Sequence, residues 1–359
     1  MTNQTPQTHP PAYLCHMKQD IRLLSLSQLK DHFTQMGEKP FRAKQVWEWL
    51  WMKSCTRFDE MTNLSLSLRE ALTRDFEIRP VTINTQQHSA DGTVKSAFCL
   101  HDKELVEGVL IPSDDRMTAC VSSQVGCSLS CKFCATGYMD RKRNLDPAEI
   151  YDQVVLIDRQ AREKFGLPLT NIVYMGMGEP LLNYANVLES IARITGPDGL
   201  NLSPKRITLS TAGIAKMIRK LADDQVRFNL ALSLHAANDE KRNQIMPINE
   251  TNSLEALREA LLYFYEKTKN KITFEYIVFR DFNDTLKDAE DLWKFARQIP
   301  SKINIIEYNP IAEASFINTG ADKLSLFEHY LQGKGLIVNV RKSRGKDIDA
   351  ACGQLANKG

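Results

Sequence analysis

The chain has 359 residues, 43% of them hydrophobic and 25% charged, with a formal net charge of +2. That length can bury a full-sized core, with room for one large domain and a smaller appendage. So small a net charge excludes attachment to nucleic acid by overall basicity, and no run approaches the roughly 18 apolar residues of a membrane span.

Residues 1–20 read as a flexible N-terminus: Met1 to Pro11 is polar and Pro-containing, without the charged and apolar stretches of an export signal. The eight cysteines then read as reduced thiols, and the expected location is cytoplasmic. Residues 21–79 show Leu-rich helical periodicity and include Lys39-Pro40-Phe41-Arg42-Ala43-Lys44-Gln45-Val46-Trp47-Glu48-Trp49-Leu50-Trp51. They form a candidate helical accessory domain. Its aromatic stripe suits a core face, while Lys39, Arg42 and Lys44 keep an RNA-facing role open.

Residues 80–116 change to short β-like runs at 94–100 and 105–111, a short β extension leading into the main domain. From 117 to 359 strands and helices alternate, with strands expected at 118–122, 172–175, 206–210, 229–234, 273–279, 303–308 and 336–341. That order predicts an α/β fold, a parallel sheet with outer helices. Polar, chemically able segments follow several of these strands, so they converge on the C-terminal rim where parallel barrels bind ligands.

Cys127, Cys131 and Cys134 stand as C-x3-C-x2-C and supply three soft ligands. A structural zinc site is normally closed by four ligands, whereas a 4Fe-4S cubane on three cysteines keeps one iron open to substrate. Spacing alone also allows a zinc site completed by Cys120. The run resembles the cluster signature of radical-SAM enzymes, whose open iron chelates S-adenosylmethionine (SAM). Gly176-Met177-Gly178-Glu179-Pro180, after the apolar 171–175 run, is similar to the superfamily segment that takes the methionine amino group.

Further motifs narrow the resemblance. Cys120-Val-Ser-Ser-Gln-Val-Gly-Cys127, Gly176-Met-Gly-Glu-Pro-Leu-Leu-Asn183, Ser233-Leu-His-Ala236 with Asn238-Asp-Glu240, and Asp347-Ile-Asp-Ala-Ala-Cys352-Gly-Gln-Leu355 occur in order. Together they resemble the dual-specificity 23S rRNA/tRNA adenine-C2 methyltransferases. The resemblance implies a partial (β/α) radical-SAM barrel at 117–359, with an N-terminal helical accessory RNA-binding domain and a short β linker region. It implies one 4Fe-4S cluster on Cys127, Cys131 and Cys134, and SAM held by Gly178, Glu179, Ser210, Ser233, Leu234, His235 and Asn309, two SAM being used per turnover. Cys352 matches the cysteine that carries the methyl group as S-methylcysteine, Cys120 the resolving thiol that ends in a disulfide, and Glu107 the proton acceptor.

The substrates so implied are an adenine of 23S rRNA at the peptidyl-transferase centre and the adenine 3′ of the anticodon in tRNAs. A low-potential electron donor such as flavodoxin or ferredoxin is implied, with a monomeric chain and no membrane. Local basic runs, Arg141-Lys-Arg143, Lys205-Arg206 and Arg341-Lys342-Ser-Arg344-Gly-Lys346, are the candidate phosphate contacts. A sister family methylates C8 of the same rRNA adenine; Pro180 and the Arg341–Gly345 run look more like the C2 enzymes. The tail after Leu355, Ala-Asn-Lys-Gly, is shorter and less basic than in some relatives. The rival readings are a zinc-stabilised RNA-binding protein and a radical enzyme acting on a small molecule. Cys15, Cys55 and Cys99 read as small buried hydrophobes.

Overall fold

The computed structural model describes residues 18–357. The expected N-terminal tail thus lies outside the described residues through position 17, Cys15 included. The chain divides into two units: a smaller one that runs to Leu50 and resumes over Cys55–Arg79, and a larger one formed by Trp51–Ser54 and everything from Pro80.

In the smaller unit, Ser25 opens α1 (Leu26–Gln35) with a reciprocal cap. Its hydroxyl accepts from Gln28 N at 3.2 Å, and its own N–H donates to Gln28 Oε1 at 2.8 Å. α2 spans Phe41–Trp51, and α3 spans Leu66–Asp75 behind a Ser65 cap. Short strands β1 (Gln19–Asp20) and β2 (Phe76–Glu77) pair in parallel. Leu29, Phe33, Val46, Trp47, Leu50 and Leu72 fill the interior, so Trp47 serves the core. Phe41 is exposed, with the Arg42 guanidinium over its ring at 5.0 Å.

The larger unit begins with an antiparallel meander of β3 (Thr82–His88), β4 (Val94–Cys99), β5 (Leu105–Ser113) and β6 (Arg116–Cys120). A small pair, β7 (Gln124–Val125) and β8 (Arg143–Asn144), brackets the cysteine loop. Alternation then sets in: α4 (Pro147–Phe165), β9 (Asn171–Tyr174), α5 (Tyr184–Thr195), β10 (Ile207–Thr211), α6 (Ala215–Asp223) and β11 (Asn229–Ser233). It continues with α7 (Asp239–Ile245), α8 (Leu254–Thr268), β12 (Ile272–Ile277), α9 (Leu286–Ala296), β13 (Ser301–Ile306), α10 (Ala321–Gly333) and β14 (Val338–Arg341).

Ten strands form one sheet in the order β14-β13-β12-β11-β10-β9-β6-β5-β4-β3. From β6 to β14 every neighbour is parallel. Among the described residues no pairing joins β14 to β3, so the parallel part is a partial (β/α) barrel with the meander built onto its first strand. β12 is buried at all six positions, as expected of a parallel strand covered on both faces. α4 starts on a capping box of Asp146 and Glu149 with Pro147 in its first turn, and Ile150, Val154, Ile157 and Ala161 repeat at helical spacing along its buried side. No described helix is long and apolar enough to cross a membrane.

The residue pattern explains where strands are seen in the sequence and where they are not. β9 to β13 carry short apolar runs, and their observed ends fall within a few residues of the expected ones. β3 offers no such pattern, because all seven of its residues are exposed on the sheet edge.

Candidate active site

β6 and β9 to β13 run parallel, so their C-terminal ends share one rim. The cysteine loop leaves β6 through β7 and returns through β8. Gly126 makes its turn: at φ 73°, a Cβ there would stand 2.0 Å from the Asp140 carbonyl oxygen. Cys127, Cys131 and Cys134 are each partly exposed and pack against one cluster that includes Leu129, Phe133, Met246 and Phe279. Burial raises the Cys131 thiol well above its ordinary pKa, and charge on Cys134 and Cys127 raises it further, so these sulfurs share one electrostatic setting. Burial also pushes Cys127 up to about 11. Such thiols are neutral acids until a metal displaces the proton.

Among the described residues no three His, Cys, Asp or Glu side chains are gathered tightly enough to clasp a single metal ion. Cys127, Cys131 and Cys134 would instead hold a 4Fe-4S cluster, a larger group than a single ion. Cys120 is absent from the cluster against which the other three pack, and the charge it senses is that of Cys352. This placement disfavours a four-cysteine zinc site.

After β9 the chain turns back along the start of the cysteine loop. Gly176 N donates to Val121 O at 3.0 Å, Met177 N to Ser122 Oγ at 2.8 Å, Ser123 N to Met177 O at 2.9 Å and Glu179 N to Gln124 Oε1 at 2.8 Å. Gly178 sits at φ 93°, and a Cβ there would lie 2.4 Å from Gln124 Cβ. Glu179 is buried; one carboxylate oxygen accepts from Leu181 N at 3.0 Å and the other from Ala212 N at 2.8 Å. Burial raises its pKa against those bonds and against a further one from the Thr211 side chain.

Ser210 and Ser233, near the ends of β10 and β11, bring their hydroxyls to 3.4 Å. Leu234 is fully buried and its N–H donates to Glu275 O at 3.0 Å. His235 holds the left-handed conformation at φ 54°, and its Nδ1 accepts from Ile277 N at 3.2 Å, which leaves Nε2 as the protonated nitrogen. Burial, then the charge of Arg242, holds its pKa down to about 3. Its ring meets Phe133 of the cysteine loop edge-on at 4.5 Å. Asn309 donates through Nδ2 to Cys352 O at 3.1 Å and Glu307 O at 3.3 Å, while its buried Oδ1 has no hydrogen-bond partner among the described residues. Three thiols and an orphaned buried acceptor on one rim are a donor set that fits an iron–sulfur cluster beside a polar cosubstrate.

The segment after β14 is tied to both the cysteine loop and the meander. Ala135 N donates to Gly353 O at 2.7 Å, and Thr136 Oγ1 donates to Leu355 O at 2.6 Å. Ala356 N donates to Glu107 Oε2 at 2.8 Å, and Asn357 Nδ2 donates to Leu105 O at 2.7 Å. Asp347 accepts from Ser89 Oγ at 2.6 Å and Ala90 N at 3.1 Å. Cys352 itself is exposed, and its carbonyl accepts from Asn309 Nδ2 at 3.1 Å. Desolvation by its neighbours raises the thiol pKa, and the charge of Arg341 opposes the rise. Cys120 is buried at the end of β6; burial raises its thiol, and the nearby Cys352 adds to the rise.

Glu107, on β5, is 1% exposed and ion-paired with buried Lys95 at 3.4 Å. Sequence reasoning passed over Lys95, over the brace of Ser122 and Gln124, and over Arg242, which is fully buried at the rim. Ser122, Gln124 and Arg242 stand among polar or charged neighbours, and Lys95 is a charged residue within the short β-like run at 94–100, so none gives a sign of burial. The basic runs divide: Lys142 pairs with Glu104 at 2.8 Å and Arg143 with Asp102 at 2.6 Å, whereas Arg341, Lys342 and Arg344 are exposed. Cys55 is buried and Cys99 partly exposed.

Comparison with known proteins gives consistent matches. Residues 20–78 match the ribosomal RNA large subunit methyltransferase N-terminal domain, and residues 121–296 match the Radical SAM superfamily. The chain is 64% identical over 354 residues to the probable dual-specificity RNA methyltransferase RlmN of Cytophaga hutchinsonii, covering 96% of this chain and 97% of that one. It is 41% identical to the dual-specificity RNA methyltransferase RlmN 2 of Myxococcus xanthus, over 99% of this chain and 95% of that one. A crystal structure of a radical SAM methyltransferase from Sphaerobacter thermophilus superposes with a TM-score of 0.88 at 37% identity, covering 94% of this chain and 99% of that one.

Proposed function

We propose that this chain, which belongs to the RlmN family of radical SAM RNA methyltransferases, methylates C2 of an adenine in 23S rRNA and of the adenine 3′ of the anticodon in tRNAs, through S-methylcysteine at Cys352. Adenine C2 lies between two ring nitrogens and is electron-poor, so it does not attack a sulfonium methyl as a thiolate does. Cys127, Cys131 and Cys134 would hold a 4Fe-4S cluster, with Gly178, Glu179, Ser210, Ser233, Leu234, His235 and Asn309 around SAM. Bound there, the pair supplies an electrophilic methyl group and, on one-electron reduction, a hydrogen-abstracting radical, two SAM being used per turnover.

The protein's own residues divide the remaining work. Cys352 as thiolate takes the methyl group, and Arg341 is the neighbour whose charge favours that thiolate. Loss of a hydrogen atom from the S-methyl group would leave a Cys352 methylene radical that adds to C2 and joins protein to RNA. The adduct would give up one electron to the oxidised cluster as Glu107 takes the C2 proton. The Cys120 thiolate would then attack the Cys352 sulfur, breaking the sulfur–methylene bond and forming the disulfide, while the freed methylene takes a proton to become the methyl group of the base. The exposed Arg341, Lys342 and Arg344 hold RNA phosphates, and a low-potential donor of the flavodoxin or ferredoxin class supplies the electron.

The observation that carries this reading is the docking of the Cys352 segment on the cysteine loop, Ala135 N to Gly353 O at 2.7 Å, with Cys120 in the field of Cys352. The test is anaerobic reconstitution with iron, sulfide, SAM and a reductant. Peptide mass spectrometry should find a methyl group on Cys352, and nucleoside analysis of added 23S rRNA and tRNA should find 2-methyladenosine. An unmodified Cys352 during turnover, or 8-methyladenosine as the product, contradicts the proposal.

A further inference from the structure

Arg242 is fully buried, yet every acceptor it reaches is neutral. Nε donates to Leu234 O at 3.1 Å, one terminal nitrogen to Asn249 Oδ1 at 2.6 Å, and the other to Ala212 O at 2.6 Å and Ser233 O at 3.2 Å. A guanidinium keeps its proton in a protein, so this charge must be answered by its surroundings. Burying an ion without a counter-ion is expensive, and neutral dipoles recover only part of the cost. The carboxylate whose field it feels, Asp239, is exposed and is reached only through Asn249, whose Nδ2 donates to Asp239 Oδ1 at 2.8 Å. Other buried cations here are paired: Arg22 with Asp20 at 3.0 Å and Lys95 with Glu107 at 3.4 Å.

The position of this charge is informative. Arg242 lies on α7, whose last residue accepts from the cysteine loop, Lys132 N to Ile245 O at 2.9 Å. Ile245 and Met246 belong to the cluster against which Cys127, Cys131 and Cys134 pack. Three of its four acceptors are backbone carbonyls at or just past the ends of β10 and β11, those of Ala212, Ser233 and Leu234, the last two being candidate SAM residues.

We infer that Arg242 is the fixed counter-cation of the iron–sulfur site, a positioning residue whose charge answers the negative charge that three thiolates and their cluster bring there and favours uptake of an electron. This rests on the reading that Cys127, Cys131 and Cys134 hold the cluster. Reduction adds one negative charge, so a nearby cation stabilises the reduced form and raises the potential. The ordinary rival is a structural arginine that gathers loop carbonyls and leaves the potential alone.

The test uses the full chain, reconstituted anaerobically, with iron and sulfide content measured and the midpoint potential read by EPR-monitored redox titration. Arg242→Gln removes the charge, Arg242→Lys retains it without the fork, and Asn249→Asp leaves Arg242 in place but sets a carboxylate on its terminal nitrogen. The ratio of reduced to oxidised cluster at a fixed potential should fall about tenfold in Arg242→Gln and in Asn249→Asp, about 59 mV for one electron, and stay near the parental value in Arg242→Lys. Should Arg242→Gln fail to fold, the same fall in Asn249→Asp still supports the counter-cation. Parental potentials in the neutralised variants that load a full cluster overturn it and leave Arg242 a structural residue. A parental chain that takes up no iron and sulfide overturns the cluster reading first, and the inference with it.

Discussion

His235 reports on burial at the rim through its protonation. Its pKa is about 3 in the folded chain against 6.5 for an ordinary histidine, so between those values the unfolded chain binds a proton that the folded one does not. The stability so held is complete above the unfolded value and is lost as pH falls through that window, by up to about 1.4 kcal/mol per pH unit. Urea denaturation between about pH 7 and about pH 4.5 should show this slope in the parent and a shallower one in His235→Gln; equal slopes would remove His235 from the buried site. Gly178 tests local geometry instead. With φ 93° and Gln124 Cβ 2.4 Å from where a Cβ would stand, Gly178→Ala should cost about 2–4 kcal/mol and weaken SAM binding, measured by denaturation and equilibrium dialysis. Such residues differ in how legible they are. The cysteine spacing and the 176–180 turn announce themselves because few other chemistries use them. Arg242 does not, because Asp239-Glu240-Lys241-Arg242 reads as a solvated charge run, and only the packing of α7 shows that its fourth member points inward.

At the scale of elements, the meander does more than lead into the barrel. β4 and β5 carry Lys95 and Glu107, and that buried pair receives the segment bearing Cys352 through Ala356 N. Glu107→Gln keeps an acceptor but leaves Lys95 charged and unpaired, so it should cost about 3–5 kcal/mol in chemical denaturation. Lys95→Met combined with Glu107→Gln should recover much of that loss. Additive losses would mean that the pair is not coupled. Thr136→Val removes one clamp, the bond to Leu355 O, and should speed amide exchange over Gly353–Leu355 while costing only about 0.5–1.5 kcal/mol overall. Unchanged exchange there would show that the clamp does not hold the segment. The parallel strands were legible because burial on both faces forces short apolar runs. β3 was not, since an edge strand with every residue in solvent needs no pattern, and the long-range contacts of residues 345–357 have no local signal at all.

For the whole molecule, a net charge of +2 leaves RNA binding to local charge. Neutralising Arg341, Lys342 and Arg344 together should reduce the slope of log affinity against log salt by up to about 2–3, as expected from release of counterions at about 0.7–0.9 per phosphate contact. An unchanged slope in filter binding would move the RNA path elsewhere. What ties the site together is that the strand-end rim and the cysteine loop both bond the segment bearing Cys352, through Asn309 Nδ2 to Cys352 O and Ala135 N to Gly353 O, and that Cys120 feels the charge of Cys352. The most direct measurement of that claim is the fate of Cys120→Ala incubated with reconstituting reagents, SAM, reductant and 23S rRNA. On the proposed mechanism, methyl transfer to Cys352 and addition to adenine should still proceed without the Cys120 thiol, and release should fail. A covalent protein–RNA species should accumulate, and nuclease digestion should leave a modified nucleotide on the Cys352 peptide. Methyladenosine formed at the parental rate over many turnovers, with no trapped species, would contradict the two-cysteine mechanism.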